Sequence, residues 1–166
     1  MEARNRSHGG HLAVTRTGTV GLLIGLLLPA SYLLHLLEEW FAGEGFAVWT
    51  ERALGQPVSP TRFLILNAIV WPLFTALTLA AIRTPALAWF PTTFGTIVVI
   101  NAALHALGSL ASSSYSPGLV TGLLLYLPVG TLAIRSGQRE LSSATFTRAV
   151  LLGVAVHAVV AVIAFA

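Results

Sequence analysis

Long apolar runs alternate with short polar segments along this chain. Most of the runs approach the roughly 20 residues that a helix needs to cross the hydrocarbon core of a bilayer. They lie at about 18–39, 63–82, 86–108, 119–134 and 148–166. The pattern predicts an all-α fold, an integral membrane bundle of about five transmembrane helices within residues 17–166.

The polar segments between these runs have distinct characters. Residues 1–16 are basic and are predicted to form a disordered cytoplasmic tail. Residues 40–62 are rich in glycine and proline and carry several aromatic residues, so we expect part of this segment to form an interfacial helix or a cap. The first run begins like a signal peptide, but it is longer than a signal core and no small-residue cleavage site follows it. We therefore predict an uncleaved span.

Arginine placement predicts the orientation, because cytoplasmic loops of membrane proteins carry the excess of positive charge. With the N-terminus inside, the outer loops hold only Arg52 and Arg62. The cytoplasmic segments hold the other seven arginines: Arg4, Arg6, Arg16, Arg83, Arg135, Arg139 and Arg148. We predict that the N-terminus is cytoplasmic.

Composition supports this class and excludes others. The chain of 166 residues is 55% hydrophobic and only 9% charged, against about 25% charged residues in soluble domains. The absence of cysteine excludes disulfides and thiolate chemistry. The chain has no lysine and no aspartate, so all of its basic residues except histidine are arginine and all of its acids are glutamate. This bias is typical of GC-rich bacteria, so we expect a multi-pass protein of the bacterial inner membrane. A dispersed net charge of +3 argues against nucleic-acid binding.

Candidate chemistry begins with ionisable residues at the end of the first run. Glu38 and Glu39 follow His35 by three and four residues, so a helix presents all three on one face. By helical rise, His35 lies about 27 Å and His105 about 28 Å from the inner ends of their spans. Asn67 and Asn101 fall at a similar depth, whereas His157 lies about 14 Å from the inner end of its span, nearer the midplane.

Three short motifs carry a resemblance to a known family. They are His35-Leu-Leu-Glu38-Glu39, Asn101-Ala-Ala-Leu-His105 and Tyr115-Ser-Pro-Gly118. In this order they resemble the HXXEE family of small multi-span bacterial membrane proteins, and the similarity extends over nearly all of the chain after residue 16. The family is defined by its motif and has no settled activity. The resemblance implies a membrane site built on His35, Glu38, Glu39 and His105.

A metal-dependent membrane enzyme is the leading functional hypothesis. Two histidines and a carboxylate suit zinc or iron. The predicted ligands and catalytic groups are His35, Glu38, Glu39 and His105, with His157 as a further ligand. Asn67, Asn101 and Tyr115 are predicted to contact the substrate or to support the ligands. A lipophilic small molecule or lipid is the expected substrate, because the site lies at membrane depth.

Other functions remain open at this point. A metal-free isomerase or cyclase would use the adjacent Glu38 and Glu39 as acid and base on a lipophilic alkene. An ion or metal carrier is disfavoured, because the inner halves of the spans hold few ionisable groups apart from His157. A structural membrane partner protein is the fourth hypothesis. The oligomeric state is not predicted.

Overall fold

The computed structural model describes residues 19–166, so the tail predicted for residues 1–16 lies outside the described residues. All regular structure within the described part is helical. The helices are α1 (Thr19–Phe41), α2 (Phe46–Leu54), α3 (Pro60–Ala81), α4 (Phe90–Ser112), α5 (Leu119–Glu140) and α6 (Ser143–Phe165). All except the short α2 are long and apolar enough to cross a membrane. The five predicted spans are confirmed.

Two helices extend beyond the predicted spans, because polar residues continue them. The polar segment between residues 135 and 148 was predicted to separate two spans, but α5 continues to Glu140 and α6 already begins at Ser143. The Ser142 hydroxyl caps α6 by accepting a hydrogen bond from the Thr145 amide. In addition, α4 lies a few residues later than predicted, because residues 85–87 form a separate helical turn.

The bundle is built around α4. This helix packs against α5 and α6, and α1 packs against both α3 and α5. Aromatic rings fill the middle of the bundle, where Phe74 meets Phe94 and Phe90 with ring centroids 5.1 Å and 5.3 Å apart. The outward faces carry exposed leucine, isoleucine and valine, among them Leu26, Ile69 and Val162. An apolar exterior around a packed interior is the arrangement expected for helices that contact a lipid bilayer.

The described arginines lie at the two ends of the bundle. At one end of the bundle, α1 and α4 finish and α3 and α5 begin; we call this the site end. It holds Arg52 and Arg62. The opposite end holds Arg83, Arg135, Arg139 and Arg148.

Close packing of α4 on α5 depends on glycine. A Cβ at Gly130 would lie 2.7 Å from the backbone oxygen of Gly95 and 2.7 Å from a methyl group of Val99. Small residues allow this approach of two helix backbones inside a membrane. The close contact between Gly95 and Gly130 therefore fixes the position of α5, which supplies several contacts to the site.

Replacing Gly130 with alanine is expected to destabilise the bundle by about 1–3 kcal/mol, because the added methyl group overpacks a contact with backbone atoms. Gly21→Ala is the matched control, since a Cβ at Gly21 meets nothing within 4 Å. It should leave stability unchanged or raise it by up to about 1 kcal/mol through helix propensity. Thermal unfolding in detergent measures both variants. Equal stability of the two would contradict the assigned packing.

Candidate metal centre

Three buried side chains converge near the site end. His35 and Glu39 lie one turn apart on α1, and His105 approaches them from α4. Only 1%, 7% and 4% of these three residues is exposed, respectively. The Oε1 atom of Glu39 lies 3.5 Å from Nε2 of His35 and 3.2 Å from Nε2 of His105. One ligand atom from each residue lies within 4.8 Å of the others.

These separations suit a shared metal ion. Bonds of about 2.0–2.1 Å from zinc to nitrogen and oxygen, in tetrahedral geometry, place neighbouring ligand atoms roughly 3.3–3.4 Å apart. The two distances from Glu39 to the histidines bracket that value. His35, Glu39 and His105 could therefore hold one metal ion between them.

Hydroxyl groups orient both histidine rings. The Nδ1 atom of His35 lies 2.9 Å from Oγ1 of Thr121, and the Nδ1 atom of His105 lies 2.9 Å from Oγ of Ser116. Both rings consequently turn their Nε2 atoms toward Glu39. The Nε2 atom of His35 is buried and has no hydrogen-bond partner. A hydrogen bond at Nδ1 with a free Nε2 is the usual arrangement of a metal-bound histidine.

The segment Tyr115-Ser-Pro-Gly118 supports this centre. Ser116 contacts His105, as described above. Gly118 has φ 101°, and a Cβ at this position would lie 2.7 Å from Cε1 of His105 and 2.8 Å from Cε1 of His35. Only glycine adopts this backbone conformation readily and also leaves space for both rings.

Glu38 has a different set of partners from Glu39. Its carboxylate accepts hydrogen bonds from the amides of Val120 and Thr121, at 2.9 Å and 2.6 Å, and from the Tyr115 hydroxyl. It thereby holds the N-terminus of α5, where free amides favour a negative charge. The structure does not bring Glu38 into the group of three ligands.

The predicted supporting role of Tyr115 is thus exerted on Glu38. Partial burial, the hydrogen bond to Glu38 and the charge of Glu38 together raise the pKa of Tyr115 to about 12. The phenol therefore remains protonated, and able to donate, throughout the neutral pH range.

A cavity of about 490 Å³ adjoins the three ligands. Aromatic and aliphatic residues of α3, α4 and α6 make up most of its wall, and His35, Glu39 and His105 form part of it. Three further predicted residues, Asn67, Asn101 and His157, line the same cavity. Asn67 is internally satisfied, since it accepts from the Tyr32 hydroxyl and donates to the Phe63 carbonyl. His157 lies outside the group of three ligands.

Helix α2 covers the cavity at the site end. Phe46 and Trp49 from this helix line it, and the ring centroid of Phe46 lies 5.5 Å from that of His105. The Trp49 indole donates to the Ser114 hydroxyl at 3.1 Å and packs against Gly108. Part of residues 40–62 therefore forms a short helix, and residues of this helix line the cavity.

Sequence reasoning did not identify several supporting residues. Thr121 and Ser116 orient the histidines, and Tyr126 stacks on His35 with ring centroids 4.1 Å apart. Tyr126 ends a π-helical turn, Gly122–Tyr126, a feature that often marks functional sites. Pro128, two residues after this turn, is the signal in the sequence for such an irregularity, because proline removes a helical hydrogen bond.

Comparison with known proteins places the chain in a family. A family model described as a protein of unknown function with an HXXEE motif matches residues 26–133. No curated protein and no solved structure matches the chain. The matched segment contains all three predicted motifs and covers more than half of the chain. The protein therefore belongs to the family defined by the HXXEE motif.

Proposed function

We propose that this protein is an integral membrane enzyme that uses a divalent metal ion, zinc or iron, to act on a lipophilic small molecule or lipid. His35, Glu39 and His105 are the proposed metal ligands. The observation that carries the proposal is the convergence of these three buried ligand groups on one point in the wall of a largely apolar cavity.

The ligand set favours catalysis over a purely structural metal. Catalytic zinc sites use three protein ligands and keep one position open, and non-haem iron sites use two histidines and one carboxylate. A bound metal would supply Lewis acidity or activate a water or oxygen molecule. The chain's own contribution is to orient the ligands through Thr121 and Ser116 and to exclude bulk water beneath α2.

The cavity supports an apolar substrate. Its wall contains Phe63, Val70, Phe94 and Val160, and most of its lining residues are apolar or aromatic. Its volume of about 490 Å³ falls within the range of about 300–1,000 Å³ typical of small-molecule sites. Such a pocket within a membrane bundle favours a molecule that is already dissolved in the bilayer.

An ion carrier is less well supported. The second cavity, lined by Thr78, Arg83 and Glu140, lies toward the opposite end of the bundle. The packed rings of Phe74, Phe90 and Phe94 lie between the two cavities. A continuous hydrophilic path for ions would have to cross this aromatic layer, where the cluster of described core residues contains no arginine, histidine or glutamate.

The arginine distribution supports a cytoplasmic N-terminus. In that orientation the site end faces outward, and the proposed reaction takes place in the outer part of the membrane. Composition supports the bacterial inner membrane as the location.

Metal-free acid–base catalysis is the second candidate. The 3.2 Å separation of Glu39 from His105 allows a shared proton without any metal. Since Glu38 is engaged at the start of α5, this version would use Glu39 and His105 rather than the two adjacent glutamates. Protonation and deprotonation of an alkene would then be the reaction.

Elemental analysis of the protein purified in detergent separates the two candidates. We expect about one equivalent of zinc or iron in the wild type and a loss of at least about tenfold in Glu39→Gln, which removes the charged ligand. Glu44→Gln is the matched control, because Glu44 pairs with Arg52 on the surface at the same end. Less than half an equivalent in the wild type, or equal retention in both variants, would reject the metal-dependent function.

A further inference from the structure

A second polar group lies in the cavity wall, apart from the three ligands. The Oδ1 atom of Asn101 and the Nε2 atom of His157 are buried and have no hydrogen-bond partner. Both residues line the cavity. A buried polar atom without a partner costs about 1–3 kcal/mol, so two of them in one cavity indicate a missing ligand.

Helix packing places these two residues at about the same level of the bundle. The helices α4 and α6 run in the same direction, since Thr93 bonds the Ala149 carbonyl at 2.9 Å and Thr96 packs against Gly153 further along both helices. Asn101 lies about two helical turns after Thr93 on α4, and His157 lies about two turns after Ala149 on α6. Asn101 also precedes His105 by four residues, so it lies about 6 Å from that ligand along the axis of α4.

The two unpartnered atoms select a particular functional group. The Asn101 oxygen requires a donor, and the His157 nitrogen accepts or donates according to its tautomer. A single hydroxyl group donates once and also accepts, so it offers the hydrogen bonds that both atoms lack. A charged headgroup fits poorly, because burial of an ion without a counter-ion is costly and no arginine among the described residues lines this cavity.

We propose that Asn101 and His157 bind the uncharged hydroxyl group of an amphipathic lipid alcohol, which is the substrate class of this site. The assignment rests on the proposed function above. It places the hydroxyl about 6 Å below the metal ligands, with a nearby part of the apolar chain against His35, Glu39 and His105.

The walls of the cavity indicate how such a molecule enters. Residues of α3 and α6 line opposite sides, yet α6 packs mainly on α4 and contacts α3 only slightly. The outward faces of both helices carry exposed apolar residues, such as Ile65 and Val159. A lipid alcohol can therefore pass from the bilayer between α3 and α6.

Photolabelling tests the proposal on the full chain in phosphatidylcholine nanodiscs. The probe is a saturated long-chain alcohol that carries a diazirine and a terminal alkyne, and its comparison is the methyl ether of the same molecule. We expect the alcohol to label the wild type at least about fivefold more than the ether, since one hydrogen bond contributes about 1 kcal/mol. Excess unlabelled alcohol should remove this labelling.

Variants locate the binding site. Asn101→Leu and His157→Leu should each lose the preference for the alcohol. Asn67→Leu should keep it, because Asn67 lines the same cavity but is already bonded to Tyr32 and Phe63. Thermal unfolding identifies any variant that fails to fold. If Asn101→Leu does not fold, Asn101→Ser replaces it, and Asn101→Ser should retain part of the preference for the alcohol.

Equal labelling by alcohol and ether, or an equal loss of preference in Asn67→Leu and Asn101→Leu, would overturn the proposal. The experiment is repeated with metal removed by a chelator. Since neither Asn101 nor His157 is among the three ligands, the preference should persist. If the protein never binds metal and still prefers the alcohol, the alcohol site is supported and the metal-dependent function is rejected. Failure of the alcohol site and failure of the proposed function are therefore distinguishable.

Discussion

Gly118→Ala is expected to abolish the proposed metal binding although it changes none of the proposed ligands. The new methyl group would lie 2.7 Å and 2.8 Å from the Cε1 atoms of His105 and His35. Both rings must then move away from Glu39, or the segment before α5 must shift. Because a displacement of supporting groups typically costs 10–100-fold in metal affinity, we expect a loss of at least that size.

Gly55→Ala controls for backbone strain. Gly55 also has positive φ, at 65°, but a Cβ there meets nothing within 4 Å. Both variants place alanine in the left-handed region, and only the one at position 118 encounters histidine rings. Metal titration of the two purified proteins compares them directly. Equal affinity in both would show that Gly118 does not shape the site.

Removal of the metal is expected to lower the thermal stability of the wild type. A ligand at 100 times its dissociation constant stabilises the folded state by about 2.7 kcal/mol. For a chain of this size, that corresponds to roughly 5–10 °C in the unfolding midpoint. The physical cause is the uncompensated charge of Glu39, which is 7% exposed and faces two histidines.

Scanning calorimetry with and without a chelator measures this shift. Glu39→Gln is the control, because it lacks the charged ligand and should show no response to the chelator. Adding zinc or iron back should restore the unfolding midpoint of the wild type and should leave that of Glu39→Gln unchanged. An equal fall in both proteins would instead indicate that the chelator acts elsewhere, and an unchanged wild type would contradict a stabilising metal.

Hydropathy was sufficient to predict the five spans because a membrane helix must be apolar along its whole hydrocarbon length. Hydropathy does not predict how far a helix extends beyond the hydrocarbon. Residues from Arg135 to Glu140 are polar, and a polar sequence is compatible with helix once the chain has left the hydrocarbon. The start of α6 at Ser143 depends on the Ser142 cap rather than on hydropathy.

Depth and helical spacing predicted that His35, Glu39 and His105 would meet. The same reasoning also included Glu38, because residues three and four apart share a face. Adjacent residues nevertheless differ by about 100° around a helix, which is enough to direct Glu38 toward α5 and Glu39 toward α4. Which neighbour lies on each side depends on tertiary packing, so spacing within α1 could not separate the two glutamates.

The supporting residues were harder to predict. Thr121 stands in an apolar run where a threonine hydroxyl usually bonds its own helix, as Thr78 does to the Phe74 carbonyl, and Tyr126 stands in the same run. Their contacts with His35 depend on the irregular π-helical turn at the start of α5. Nothing local in the sequence specifies that turn beyond Pro128.

X-ray absorption spectroscopy at the metal edge tests the central claim most directly, since it reports the ligands of the ion that copurifies with the protein. The account predicts one ion per chain, with two imidazole ligands and at least one oxygen ligand in the wild type. In Glu39→Gln the residual signal should be near background. A spectrum without imidazole scattering, or one unchanged in Glu39→Gln, would contradict a metal centre formed by His35, Glu39 and His105.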